Sequence, residues 1–349
     1  MREVFELVRL MEEVGGKVGD YVSPDVVDLG EGYDVVRVSC DNVDFVVIDK
    51  GGVELGDRLI GVDSHTSVLR FAAFDVHVVT GALVGRDVYL VPGVQGVRWL
   101  GLKLRFRLDN ADALDRYSGI IYVKSRYLGR YFDGSYNDEA IRDEVRLHVE
   151  LRLINIAREL SGFILIDGPV FPTPRILGME GNEYSSLYWG LVKDRVEALR
   201  GLRAVGVVKR LGQSHYLARC LGEVYADDYT LAVNKLTPLL GNGGVAAIGP
   251  VRIEAGDYGK YCWYVASRLG RRIDVVRVEG LSEDVVEVGR DYVALTMTVG
   301  GTAMSIHIAD RVARRLNASA VNLISSISPL GITYEGLETI REALSELGG

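Results

Sequence analysis

Apolar residues recur near helical spacing over residues 2–18, where Val4, Phe5, Val8, Leu10 and Met11 predict an amphipathic helix at the start of the chain. From 26 to 55 the rhythm changes to short Val-rich runs broken by Asp and Gly, as in YDVVRVSCDN and DFVVIDKGG, which predict short strands. The stretch LIGVDSHTSVLRFAAFDVHVVTGALVGRDVYLVPG predicts three antiparallel strands, with turns expected at Asp63-Ser64, Thr80-Gly81 and Gly85-Arg86-Asp87. A less regular segment with strand-like KLRFRLD and GIIYVKSRYLG follows. A strong helical pattern, NDEAIRDEVRLHVELRLINIAREL, then opens at Asn137 as N-cap and closes near Gly162. FILIDGPV is a continuous apolar run of strand length, the pattern of a strand buried on both faces. SSLYWGLVKDRVEALRG predicts a second helix ending at Gly201, and AVGVVKR another buried strand.

Three antiparallel strands followed by two parallel units give the order β-β-β-α-β-α-β, which predicts an α/β fold: a ribonuclease-H-like mixed sheet flanked by helices. Residues 211–300 are expected to form an inserted β-rich subdomain, with strands in GGVAAIGPVRIEAG and RRIDVVRVEG and a helix around Tyr258–Arg268. AMSIHIADRVARRLNA returns to a helical period, and YEGLETIREALSELGG predicts a short polar helix. The expected division is 1–55, a helix and short strands docking a partner or second protomer; 56–325, the main domain; and 326–349, a peripheral C-terminal helix.

Composition narrows the class. At 349 residues and 48% hydrophobic, the chain can bury a sizeable core, and 25% charged residues give no sign of wholesale disorder. No apolar run reaches the roughly 20 residues that span a bilayer, and the first residues mix charges into their apolar stripe, unlike a secretion signal. A soluble, cytoplasmic protein without membrane contact is the expectation. Cys40, Cys220 and Cys262 form no CxxC pair, so neither a disulfide framework nor a zinc knuckle is expected. Glutamine occurs only at Gln95 and Gln213, a bias that leans toward a thermophile. The net charge of −8 argues against a protein that coats nucleic acid electrostatically, but leaves room for an enzyme with an acidic site beside a local basic track.

Three carboxylates stand where such a sheet would gather them. Asp63 follows the apolar LIGV, where burial demands a polar neighbour or metal, although a turn role fits its sequence too. Asp167 ends the run FILI before Gly168-Pro169, at the strand edge where α/β sheets place their sites. Glu150 interrupts a helical stripe of Leu147, Ile154, Ala157 and Leu160, so it needs a cation, a hydrogen-bond cage or Arg146 four residues earlier. Glu144 is a rival for the same role. His307 flanks a stripe expected to be Met304, Ile308, Val312 and Leu316, and could bind metal or move a proton, with Asp310 one turn later to orient it. The chemistry explains the pattern. Phosphodiester hydrolysis builds charge on attacking and leaving oxygens, and two hard cations about 3.5–4 Å apart stabilise both.

The sequence resembles the archaeal NurA family through GVDSHTS, the helix carrying Glu150, FILIDGPV, VGVVKR and SIHIADRVA, in order over about residues 56–320. The resemblance implies a deoxyribonuclease of 5′–3′ exonuclease and single-strand endonuclease type, acting in resection of DNA double-strand breaks. It implies Asp63, Glu150, Asp167 and His307 as catalytic and metal-proximal residues, and Mn²⁺ or Mg²⁺, as two ions, for cofactor. It implies DNA, a hexameric HerA-type ATPase and a second copy of the chain as partners. Lys209 and Arg210 follow the second parallel strand and could hold a phosphate, while the arginine clusters 268–272 and 311–315 suit a solvated face equally well. Tyr184, Tyr188 and Trp189 could stack on bases, with core packing the expected role for at least two.

Overall fold

The computed structural model describes all residues except 1, 16–21, 33–34, 41–42, 108–111, 224, 299 and 349. The chain runs through α1 (Arg2–Val14), two short strands β1 (Arg37–Ser39) and β2 (Asp44–Ile48), and then β3 (Leu59–Arg70), β4 (Phe74–Val84), β5 (Val88–Val91) and β6 (Leu100–Leu104). A single turn, α2 (Asp112–Asp115), precedes α3 (Asp138–Glu159), β7 (Phe163–Asp167), α4 (Glu183–Leu199) and β8 (Ala204–Val208). The remainder is α5 (Tyr216–Leu221), α6 (Asp228–Leu236), β9 (Val245–Ala255), β10 (Tyr258–Leu269), β11 (Arg272–Gly280), α7 (Glu283–Thr296), α8 (Met304–Ile327) and α9 (Tyr334–Gly348).

The strands form one mixed sheet in the order β1-β9-β10-β11-β8-β7-β3-β4-β5, with β2 also on β9 and β6 also on β4. Its β5-β4-β3-β7-β8 half, antiparallel as far as β3 and parallel from there, is the predicted ribonuclease-H-like arrangement. The β-rich stretch does not stand apart as a subdomain. β11 pairs antiparallel with β8, so β9–β11 extend the same sheet, and β1 and β2 close its far edge. The helix expected around Tyr258–Arg268 is strand β10, paired on both sides. Cys262, Tyr264 and Ala266 fill one face and Trp263 and Val265 the other, so the run lacks the alternation of a half-exposed strand. Asp63-Ser64 and Thr80-Gly81 are not turns either; Ser64 opposes Gly81 and Asp63 opposes Ala82 within the β3–β4 ladder.

Alternation along the strands separates two cores. Phe163, Leu165, Val205 and Val207 face α7 and the start of α8, whereas Ile164, Ile166 and Ala204 join the larger cluster beneath α3 and α4. Helix α3 begins as predicted, with Asn137 Oδ1 accepting from the Ala140 N–H at 3.0 Å. Helix α1 buries Val4, Leu7, Leu10, Met11 and Val14 in this chain's own core, so the apolar face expected to meet a partner is covered within the chain; Phe5, expected on that stripe, points outward. Cys40 and Cys220 form a disulfide, where the sequence led us to expect no disulfide framework. Their separation of 180 residues hid the pairing, because spacing along a chain does not report which distant segments meet. Among the described residues, no helix is long and apolar enough to cross a membrane.

Helix α8 lies unusually close to β3 and β4. Its buried side is mostly small, with Ala309, Ala313, Asn317 and Val321, while the expected stripe turns outward and leaves Met304 51% and Ile308 41% exposed. Thr80 Oγ1 donates to Ala313 O at 2.8 Å and Asn317 Nδ2 to Val78 O at 2.9 Å. Gly61 makes room for the first turn: a Cβ there would sit 2.2 Å from Ser305 O. Gly61→Ala is therefore expected to cost about 2–3 kcal/mol of stability by pushing α8 off the sheet. Gly119→Ala, where a methyl would meet nothing within 4 Å, should be near neutral. Urea denaturation of the two variants checks the contrast.

Candidate metal centre

Asp63 and Asp167 share a level and a face of the sheet. β3 and β7 run parallel with Val62 opposite Ile166, so the next residue of each strand is an aspartate on the α8 side. Helix α8 brings Asp310 down onto them. One carboxylate oxygen from each of Asp63, Asp167 and Asp310 lies within 4.8 Å of the other two. Asp63 is 3% exposed, whereas Asp167 and Asp310 are half-buried.

Three acids in so little water must be neutralised. Burial pushes the Asp63 carboxyl up to about 9, and the negative charges of Asp167 and Asp310 add to the rise, against weaker pulls from Arg146 and the Ser64 N–H. Burial also raises Asp310, but a 2.8 Å hydrogen bond from Arg314, the Lys209 charge and a hydrogen bond from Asp63 leave it below the usual carboxylate range. Asp63 is thus the carboxyl of the cluster that favours its proton, while Asp310 favours the ionised form. Lys209 Nζ lies 2.6 Å from Asp167 Oδ2, so the residue expected to face a phosphate is paired with an acid of the cluster. A donor set made of carboxylate oxygens, offset by one proton on Asp63, the Lys209 ammonium and the Arg314 guanidinium, suits a hard divalent cation such as Mg²⁺ or Mn²⁺.

Glu150 lies on the other side of the sheet. Ser64 follows Asp63 and so points the opposite way, and its Oγ donates to Glu150 Oε1 at 2.5 Å. Arg146 Nε reaches Oε1 at 2.8 Å and Arg195 Nη1 reaches Oε2 at 2.7 Å. Burial works to raise the Glu150 carboxyl, yet the two guanidinium groups and Ser64 hold it down at about 2. Glu144 is also outside the cluster: it accepts from Ser125 Oγ and the Arg126 N–H, and burial pushes it up to about 7. His307 is exposed, one turn ahead of Asp310, and it is Asp310 that α8 delivers to the acids. The signal for Asp310 was its place beside Ala309 on the small-residue side of the helix, which the larger apolar residues masked. Arg210 is exposed. Tyr184 and Tyr188 are core residues bonded to Asp25 and Asp143, and Trp189 Nε1 donates to Leu177 O at 3.2 Å, so these aromatic rings support the fold.

Carboxylates converging at the carboxyl edge of parallel strands define a candidate divalent-metal centre on an α/β scaffold. The chain belongs to the NurA domain family, whose model matches residues 57–315, from just before β3 to the middle of α8. Among solved structures it is similar to the NurA nuclease from Sulfolobus solfataricus, at 13% identity over 95% of this chain and 96% of that one, with a TM-score of 0.41. A NurA with manganese gives 12% identity, 93% and 97% coverage and a TM-score of 0.44. A NurA bound to dAMP and manganese gives 10%, 72% and 83%, and 0.43. No curated protein matches the chain.

Asp63 fixes the pH response. Its folded value of about 9 lies above the ordinary 3.8, so its contribution to stability is full below that lower value and is lost as pH rises toward the upper one. A divalent cation held by Asp63 would replace the proton, so the rise in melting temperature on adding Mn²⁺ should grow across the same window. Asp63→Asn should stabilise the metal-free chain near about pH 8 and abolish the Mn²⁺ effect. Scanning fluorimetry at about pH 6 and about pH 8 reads both changes. An Mn²⁺ effect equal at the two values, or surviving in Asp63→Asn, would remove Asp63 from the centre.

Proposed function

We propose that this chain is a divalent-metal-dependent deoxyribonuclease that hydrolyses phosphodiester bonds at DNA ends. The observation that carries the reading is the convergence of Asp63, Asp167 and Asp310 at one sheet edge inside a NurA domain. These three residues would hold Mn²⁺ or Mg²⁺, and cations bound there would offset the charge that builds on the attacking and leaving oxygens, the role for which two ions are expected. Asp63 would hold the metal as a carboxylate, having lost its proton, and Arg314 favours the ionised form of Asp310. Lys209, paired with Asp167 in the metal-free chain, would be free to turn its ammonium to a phosphate oxygen if a metal took that carboxylate, with exposed Arg210 beside it. His307, on the solvent side of α8, is the candidate to pass a proton to the departing oxygen. Glu150 anchors the arginine pair behind the strand that bears Asp63.

Membership of the family further supports a 5′–3′ exonuclease and single-strand endonuclease working in end resection, as a homodimer beside a HerA-type hexameric ATPase. The test is cleavage of end-labelled single- and double-stranded DNA by the purified chain with Mn²⁺, with and without such an ATPase. Asp167→Ala and Asp310→Ala are each expected to lower the rate about 10³-fold with the melting temperature retained. Metal-dependent cleavage that survives Asp167→Ala would defeat the proposal and leave a non-catalytic clamp of the same fold.

A further inference from the structure

A cavity of about 120 Å³ opens beside the carboxylate cluster, on the α3 and α4 side of the sheet edge. Its walls are Leu147, Pro169, Pro172 and Leu191, and Glu150 and Arg195 lie at its floor. Asp167 lines the cavity and also belongs to the metal cluster, so whatever occupies the cavity lies next to the reacting phosphate.

Arg146 gives the cavity its charge. Its Nε is engaged by Glu150 Oε1 at 2.8 Å and Ser64 Oγ at 3.0 Å, which fixes the plane of the guanidinium. Among the described residues its terminal nitrogens have no hydrogen-bond partner, and the side chain is 39% exposed. One terminal nitrogen lies 3.8 Å from where a Cβ on Gly168 would be, immediately beside Asp167. A guanidinium anchored at one edge and open at the other is suited to a phosphate. The walls are suited to a flat apolar face, and the two prolines keep that shape without rearrangement. Asp143, a further polar residue at the wall, already accepts from Tyr188 OH at 2.7 Å. The rest of the wall is apolar, so a base seated against it is held by burial rather than by hydrogen bonds to its edge.

We propose that this cavity seats the nucleoside adjoining the scissile bond, with its base against Leu147, Pro172 and Leu191 and its phosphate at Arg146. The site takes any base, because burial holds it and hydrogen bonds do not. The inference rests on the nuclease reading above and is tested so that the two can fail separately.

The experiment places a single abasic residue at successive positions in an end-labelled strand and measures kcat and KM with Mn²⁺. One position should raise KM about tenfold, the worth of burying one apolar base face, with kcat little changed. Leu191→Trp, which fills the cavity, should raise KM to a similar extent on the intact strand, and the abasic position should then add nothing. Pro172→Ala, which opens the wall with less risk to folding, should give a smaller rise and a weaker abasic effect. Arg146→Met should raise KM on every strand, abasic or intact, by a similar factor. A flat abasic profile, or abasic and cavity effects that multiply, overturns the subsite. If no strand is cleaved, the nuclease reading falls. The same series read by fluorescence anisotropy with Ca²⁺ then decides the subsite alone.

Discussion

The close contact between α8 and the centre of the sheet is the constraint on which the rest depends. A helix is normally held off a sheet by the branched side chains that interdigitate between them. Here Gly61 lies against the Ser305–Ile306 backbone and Ala82 packs on Ala309 and Ala313, so backbone lies nearly on backbone. That approach lets Asp310, with a short side chain, reach Asp63 and Asp167. Larger residues at these positions would bury more apolar surface and give a firmer core, but they would lift Asp310 out of reach. The geometry trades packing for convergence of charge, a trade that makes sense at a functional site. Its electrostatic cost falls on Asp63, whose carboxyl is pushed up by burial and by the like charges of Asp167 and Asp310.

The sheet then acts as a partition. Asp63 and Ser64 are neighbours in the chain yet serve opposite faces, one joining the acids under α8 and the other tying Glu150 to α3. Glu150 holds Arg146 and Arg195 in place. The expectation that Glu150 would join Asp63 treated the strand and the following helix as one side of the molecule. Alternation along β3 decides otherwise: residues in phase with Asp63 face α8, and Glu150 rides on the helix that packs against residues out of phase with it.

Legibility in the sequence followed the range of the interaction. The order of elements from β3 to β8, the cap at Asn137, and the strand-end position of Asp167 are local patterns, and they appear in the structure at those places. Strand β10 was hidden because it is buried on both faces and, at 12 residues, too long to be marked as a strand by the short apolar run that revealed β7. Asp310 was hidden because alanine scores weakly as a core residue, so the large residues Met304 and Ile308 drew the apolar stripe to the wrong side of α8. The pairing of Cys40 with Cys220 and the docking of α1 onto its own chain depend on tertiary neighbours that no local window contains.

The added half of the sheet also bears on the site. Beneath the segment after Asp167 lies a fully buried ionic network: Lys260 and Arg277 both pair with Glu279, at 2.9 and 2.8 Å. Burial would raise the Glu279 carboxyl, but these two cations hold it below the usual range. An extension that served only to enlarge the core would be as stable with apolar residues here, because buried ion pairs seldom repay their desolvation. The network does something apolar residues cannot. Glu279 accepts from the Val170 N–H at 3.1 Å and Lys260 donates to Phe171 O at 3.1 Å, while Arg195, from the other direction, donates to Val170 O at 3.2 Å. Directional bonds from β10, β11 and α4 thus fix the backbone directly behind Asp167. Gly206 lets that segment lie against β8, since a Cβ there would sit 2.4 Å from Gly168 O. The position of Asp167 is therefore set from both sides: the parallel strands fix its height, and the charged interior of the extension fixes the turn that follows it.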